Sequence, residues 1–505
     1  MTSRCVDLGE LNVGISYDER SVYPVDAPFS PREFLPEYPF THYSEHPNSV
    51  YRQVREALHL LGCDDESYDT PLWNPMSGLI RPGNRVLLKP NMVTHRHPRG
   101  GDLFAVVTHP AVIRAMVDYA FIALQGDGQI VIADAPQIDC DFDLLREHLQ
   151  LSAIQDLYWR EKGFRVQVLD LRPCATVQGK WRALPSKRKR IQLPGDPLGS
   201  ARVNLGVQSL LYGLPGEKRL YGADYNRVET MAHHTGKVHE YDLAKTVLAA
   251  DVVVSLPKMK VHKKVGVSLN LKGLVGVCTN KNLLVHYRLG SPSNGGDQYP
   301  NGVLESRELA AIRIKRWAYD RLLAKRGPLT DLVFAVGVRL GQLVLRPLGL
   351  RVRGPHAAVD GGNWVGNDST WRMVLDLYRA TVFSDSEGKL QTTPMRRFFS
   401  VVDGIVGGEG EGPITPTRRH CGVIAAGSHL GAVDAVCAAL MGLDISQVKV
   451  LTYLSDHASD LKLDVDCLSV YSNHEGFSGG IHDVIKNTGF RFSSPTGWPD
   501  LTRTG

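Results

Sequence analysis

The chain of 505 residues is 43% hydrophobic and 22% charged, a globular composition long enough for two or three cores, which excludes a disordered or fibrous protein. Its 58 basic and 53 acidic residues leave a net charge of +5, too slight and too evenly spread to argue for nucleic acid, so no such partner is expected and a small anionic ligand accounts for the balance equally well. Eight scattered cysteines form no C-x-x-C pair and no ferredoxin-like run, so no iron–sulfur cluster is expected, and free thiols in a reducing cytoplasm are.

Residues 1–80 read as an N-terminal extension, rich in Pro, Tyr and acidic residues around one amphipathic helix, SVYRQVREALHLLG, and without the apolar run of a signal peptide. A first α/β domain is expected over 81–316. RVLLKPNMV (85–93) predicts a buried strand, THPAVIRAMVDYAFIAL (108–124) a helix opened by a Thr cap, and GQIVIADAP (128–136) a second buried strand. Strand, helix, strand on short connections predicts a parallel sheet. A basic, turn-rich insertion occupies 175–225, and YDLAKTVLAADVVVSLP (241–257) predicts helix then strand. The segment 317–354 is apolar between basic flanks; it suits a buried or domain-bridging helix, or peripheral contact with the inner face of a membrane. A second α/β domain is expected over 355–505, with TWRMVLDLYRAT (370–381) as a helix, RRFFSVVDGIVGGEGEGP (396–413) as strand into glycine-rich loop, and HCGVIAAGSHLGAVDAVCAALMGLD (420–444) as strand, turn and helix.

Parallel sheets bind ligands beyond the carboxyl ends of their strands, and those ends are polar here. The first is followed by Lys89 and Asn91, the second by Asp134, the third by Lys258, Lys260 and His262, and a later one by Glu409 and Glu411. The glycines of GGEGEGP could cradle a phosphate, yet Glu409 and Glu411 would repel it and better suit a cation or hydroxyl. MAHHTGKVHEY groups His233, His234 and His239, as metal ligands or as a polar loop.

In LPKMKVHKKVGVSLNLKGLVG (256–276), Lys258, Lys260 and His262 share one strand face, while adjacent Lys263 and Lys264 predict a solvated turn. Lys272 stands among apolar residues and glycines. Either it pairs with Asp134 or Glu409, or it holds an anionic or covalently attached cofactor or works with a lowered pKa. Just downstream, 282–302 predicts an active-site loop carrying His286, Arg288, Asp297 and Tyr299. In 358–379, Asp360, Asn363, Trp364 and Asn367 suit a hydroxyl-rich ligand, ahead of a helix capped by Asp368 or Ser369.

LLKPNMV, THPAVIRAMV, IVIADAP, ADVVVSLPKMKVH, LNLKGLVG, DGIVGGEGEGP and GAVDAVCAALMGLD, in this order over roughly 85–450, resemble the domain of unknown function 362 family. More distantly, LPKMKVHKKVGVSLNLKG followed by NKNLLVH is similar to nickel-pincer lactate racemases, although Asn270 and Leu271 stand where those enzymes have a glycine pair. That likeness implies two α/β halves with largely parallel sheets around a cleft, and a divalent metal or nickel-pincer-type nucleotide as cofactor. It also implies Lys272 as cofactor anchor, His286 as metal ligand and His262 as general base.

The expected protein is therefore an enzyme on a small hydroxylated, anionic molecule, with racemisation or epimerisation at the hydroxyl-bearing carbon as the reaction. His262, Lys272 and Lys260 are its centre, and Lys89, Asn91, Asp134, Asp297, Asn363, Trp364, Asn367, Glu409 and Glu411 its substrate or cofactor contacts. The alternatives are a binding protein docked at a membrane surface and a transferase handling phosphates or sugar nucleotides.

Overall fold

The computed structural model describes residues 11–178, 188–224, 226–318, 320–321, 333, 336–337, 358–457, 461, 463–487 and 490–499. Its centre is one sheet of eleven strands. In chain order the main elements are β1 (Asn12–Tyr17), α1 (Ser49–Leu60), β2 (Arg85–Pro90), α2 (Pro110–Leu124), β3 (Gln129–Asp134), β4 (Val166–Asp170), β5 (Val252–Leu256), β6 (Lys258–His262), α3 (Asn270–Gly273), α4 (Thr370–Phe383), β7 (Arg397–Glu409), β8 (Thr417–Gly427), α5 (Leu430–Leu440) and β9 (Ser469–Ser472). The sheet runs β9-β1-β8-β7-β5-β2-β3-β4, and β6 prolongs β5 beyond Pro257 to pair with the second half of β7. The pairs β5–β7, β5–β2, β2–β3 and β3–β4 are parallel, and β8 runs antiparallel to both neighbours.

Each central strand is apolar on both faces, because helices cover both. The period of two sends Val86, Leu88, Ile130, Ile132, Val252 and Val254 into a core shared with α1 and α2. Leu87, Val131, Val253 and Phe398 enter a second core with α4 and α5. The α/β expectation is met at this level. Strands expected in separate halves are hydrogen-bonded neighbours, β5 with β7, so the two halves around a cleft have no counterpart in this pairing.

Local readings were met in part. The helix in SVYRQVREALHLLG is α1, and TWRMVLDLYRAT lies in α4. α2 is capped by His109, whose Nδ1 accepts the Ala111 N–H, and not by Thr108. The Thr108 hydroxyl is occupied in donating to the Leu256 carbonyl at 2.6 Å and accepting the Asn91 N–H at 2.9 Å. The stretch read as helix from Tyr241 is strand up to Ala244, paired with Ser200–Asn204, and only Lys245–Leu248 is helical. The strand of RRFFSVVDGIVGGEGEGP continues through its first glycines to Glu409. A Cβ at Gly408 would lie 2.5 Å from the Ala105 carbonyl oxygen and 2.9 Å from Lys260 Cβ, so glycine there serves a close approach of chains and not a phosphate cradle.

Among the described residues no helix is long and apolar enough to cross a membrane. The 317–354 segment lies outside the described residues, apart from 317–318, 320–321, 333 and 336–337. Cys63, at the end of the α1 region, is disulfide-bonded, against the expectation of free thiols, whereas Cys140, Cys174, Cys278, Cys421 and Cys437 are free thiols.

Candidate active site

β2, β3 and the β5–β6 junction deliver their polar ends to one region. Lys89 and Asp134 are buried and form an ion pair of 3.0 Å, and the second oxygen of Asp134 accepts the Met92 N–H at 2.8 Å. Gly276 sits directly on this pair: a Cβ there would lie 1.8 Å from Asp134 Oδ1 and 2.6 Å from Lys89 Nζ. The Gly276 carbonyl also takes the Ala135 N–H at 2.8 Å. Beside the pair, the Asn91 backbone is bonded to Leu256 and Thr108.

On β6, Met259 and Val261 enter the core, leaving Lys258, Lys260 and His262 on the other side. Lys258 pairs with Asp403 at 3.0 Å, and the Tyr23 hydroxyl accepts from Lys258 while donating to Asp403 at 2.6 Å. Lys258 therefore belongs to a closed structural network. Lys260 donates to the Val106 carbonyl at 2.5 Å, and burial, with the charges of Lys258 and Lys272, holds it well below the ordinary amine range.

Lys272, on α3, is half-buried and has no hydrogen-bond or ion-pair partner among the described residues. Both counter-ions open to it in the sequence are committed elsewhere: Asp134 to Lys89, and Glu409 to the Ser493 N–H at 2.9 Å. Burial, with the charges of Lys281 and Lys89, lowers its amine to about 7. α3 itself is fixed from α5, where buried Asp434 accepts the backbone N–H groups of Asn270 and Leu271 and the Asn270 side chain at 2.8–2.9 Å.

The two histidines around Lys272 are held in opposite tautomers. His262 Nδ1 accepts the Lys264 N–H at 3.1 Å, which puts the proton of neutral His262 on Nε2 and makes that atom a donor. His286 Nδ1 donates to the Leu284 carbonyl at 2.7 Å, leaving a lone pair on Nε2. The general-base role thus fits His286 better than His262. Burial and then the Lys272 charge hold both imidazoles well below their ordinary pKa.

Two further cations went unrecognised in the sequence. Lys264 is no solvated turn: it donates to the Gly361 carbonyl, lies 5.4 Å from the Tyr287 ring centroid, and burial, with the Lys263 charge, lowers its amine to about 7. Lys281 donates to the carbonyls of Ala135 and Cys278, and burial lowers it to about 8. A lysine two residues before the apolar run LLV was the available signal for Lys281, and a lone Asp inside GAVDAVCAAL the signal for Asp434.

Most other expected contacts are committed to the protein, although the buried Oδ1 of Asn363 and the Nδ1 atoms of His234 and His239 have no hydrogen-bond partner among the described residues. Asp297 accepts the Arg288 and Asp368 N–H groups and the Ser369 hydroxyl. Asn367 donates to the carbonyls of His286 and Gly362, and its oxygen accepts the Ser369 and Thr370 N–H groups at the start of α4. The Trp364 indole donates to the Asp297 carbonyl at 2.9 Å, and Asn363 donates to the Asp360 carbonyl at 2.8 Å. Glu411 accepts from Thr496; with Glu409 it secures the C-terminal segment. His234 and His239 donate to the Leu283 and Gly236 carbonyls, and His233 pairs with Glu240 at 2.6 Å. No group of three or more His, Cys, Asp or Glu among the described residues could hold a metal.

The family comparison reads this same stretch. Residues 194–439 match the family model described as domain of unknown function (DUF362). The DUF362 match is narrower than the expected 85–450; it contains β5 through most of α5, hence Lys260, His262, Lys272, His286 and Asp434, but not Lys89 or Asp134. No curated protein matches the chain. A crystal structure of a Thermotoga maritima protein is similar at 11% identity with a TM-score of 0.28, covering 77% of this chain and 58% of that one. The resemblance to lactate racemases gains no support from these comparisons.

Proposed function

We propose that the protein is an enzyme acting on a small hydroxylated, anionic molecule, and that the reaction is epimerisation at the hydroxyl-bearing carbon. The observation that carries this reading is the unpaired Lys272 amine, near pKa 7, coupled to one imidazole that offers a proton and another that offers a lone pair. An amine poised near neutrality exchanges protons at little cost in either direction. In this reading His286 Nε2 takes the proton from carbon, the negative charge that develops is held by the Lys272 ammonium, and that ammonium delivers its own proton to the opposite face, leaving His286 protonated and Lys272 neutral until both exchange with solvent. Lys260 and the Lys89–Asp134 pair hold the region rigid. Asp297 and Asn367 act at one remove, by fixing the loop that carries His286.

Incubating the full chain with 2-hydroxy acids and sugar acids in D2O tests this. Deuterium should enter at the hydroxyl-bearing carbon; Lys272→Ala should lower exchange by at least a hundredfold with unchanged denaturation, and Lys263→Ala should leave it intact. Full exchange by Lys272→Arg would reduce the role of Lys272 to charge. A phosphate-handling transferase is the second reading, favoured by the same excess of lysines; it requires group transfer from a phosphorylated donor in place of deuterium exchange.

A further inference from the structure

We propose that the space bordered by Lys272, Lys264 and His262 is a site for a small oxyanion, a carboxylate or phosphate group, and that it fills with uptake of protons. The inference rests on the reading above for the location of the site and adds what is bound there and how.

Hydrogen-bond accounting is the first ground. Lys272 has no partner among the described residues, and the Nε2–H of His262 has none either. Lys264, Lys260 and Lys281 donate only to backbone carbonyls. The carboxylates that act on this group are already engaged: Asp134 with Lys89, Asp297 with Ser369 and backbone N–H groups, and Asp360 with Gln298 at 2.7 Å. Carbonyl dipoles solvate an ammonium but do not neutralise it, so protonating these amines leaves buried positive charge that only an added anion offsets. Space is the second ground. Gly273, next to Lys272, would find nothing within 4 Å of an added Cβ, and Lys272, Lys264 and His286 are each half-buried, so the donors border a volume open to a ligand.

Proton linkage follows. With no anion, Lys264 and Lys272 lose their protons near 7 and Lys281 near 8. An oxyanion stabilises the ammonium forms, so at pH 8 its binding must draw protons from the buffer. His286, which feels the charges of Lys272 and Lys264 and keeps a lone pair on Nε2, neighbours the same group and is a poor partner for the anion itself.

Calorimetric titration of the full chain at pH 8, in two buffers that differ in protonation enthalpy, tests this with sulfate and acetate as probes, neither of which titrates there. A buffer-dependent heat corresponding to uptake of roughly one proton is expected. Lys272→Gln should weaken binding at least tenfold, Lys272→Arg should keep binding with less uptake because arginine stays charged, and Lys389→Ala, at an exposed turn, should change neither. Preference for sulfate identifies a phosphate group as the occupant, preference for acetate a carboxylate. Absence of binding by both probes overturns the proposal, as does binding with no proton uptake. Binding with uptake, but no deuterium exchange on any hydroxy acid, leaves the oxyanion site standing and removes the epimerase reading.

Discussion

Asn367 uses its whole amide on the protein, donating to two carbonyls and accepting two N–H groups. As a ligand contact its loss would weaken binding alone; as it stands, Asn367→Ala strands three buried backbone groups, the Gly362 carbonyl and the Ser369 and Thr370 N–H groups, and should cost about 1–3 kcal/mol of stability, measured by urea unfolding. The His286 carbonyl loses the Asn367 amide and keeps only the Thr370 hydroxyl at 2.6 Å, so on the proposed reading deuterium exchange should fall as well. Gly276→Ala is the complementary case, since a methyl group cannot coexist with Asp134 and Lys89 in place. It should cost about 1–3 kcal/mol by overpacking, with Lys272 chemistry lost alongside. Neither role was legible in sequence, because a side chain's partners are chosen by residues 81 and 142 positions away along the chain.

At the scale of elements, α3 is a single turn, too short to persist by its own hydrogen bonds. Asp434 on α5 holds it, and the Asn270 oxygen in turn accepts the Ser400 hydroxyl of β7 at 2.8 Å. Burial raises the Asp434 carboxyl from 3.8 to about 7, although three N–H donors oppose the shift. Between those pH values the native state binds the extra proton and the unfolded chain does not, so this contribution is complete below about 4 and is lost as pH rises through 7. Asp434→Asn should flatten the melting temperature over that window. It should also destabilise the fold by about 1–2 kcal/mol, because an amide cannot accept all three bonds.

Across the whole molecule, the N-terminal stretch is part of the body: β1 lies inside the main sheet, and Tyr23 closes the Lys258–Asp403 pair and accepts the Val406 N–H at 3.2 Å. Tyr23→Phe should cost about 1–3 kcal/mol, seen as a lower urea midpoint with unchanged slope, because it leaves buried partners unsatisfied. The buried amines set a second pH trend. Lys264 and Lys272 titrate near 7 and Lys281 near 8 in the fold, against 10.5 when unfolded, so in that interval the unfolded chain binds more protons. Their contribution is complete above about 10.5 and is lost as pH falls through 8 to 7. Together with Asp434, these groups give the ligand-free protein a stability minimum near neutrality, which differential scanning calorimetry across pH 5–10 would reveal as a dip of a few degrees.

The sequence by itself determined the α/β class, the order of the main strands and helices, and the apolar, glycine-flanked setting of Lys272, since apolar runs of strand length and a cation set among apolar residues and glycines are local signals. It also placed Lys89, Asp134, Lys260 and His262 at strand ends. The tertiary structure alone decided that one sheet joins both stretches, that Asp134 pairs with Lys89 and not Lys272, and that Lys264 donates to the Gly361 carbonyl. It likewise decided which imidazole nitrogen each histidine exposes. Those outcomes depend on partners far apart in the chain: periodicity records which side of a strand is buried, but whether a buried charge meets a carboxylate, a carbonyl or nothing is settled only when the sheet closes around it.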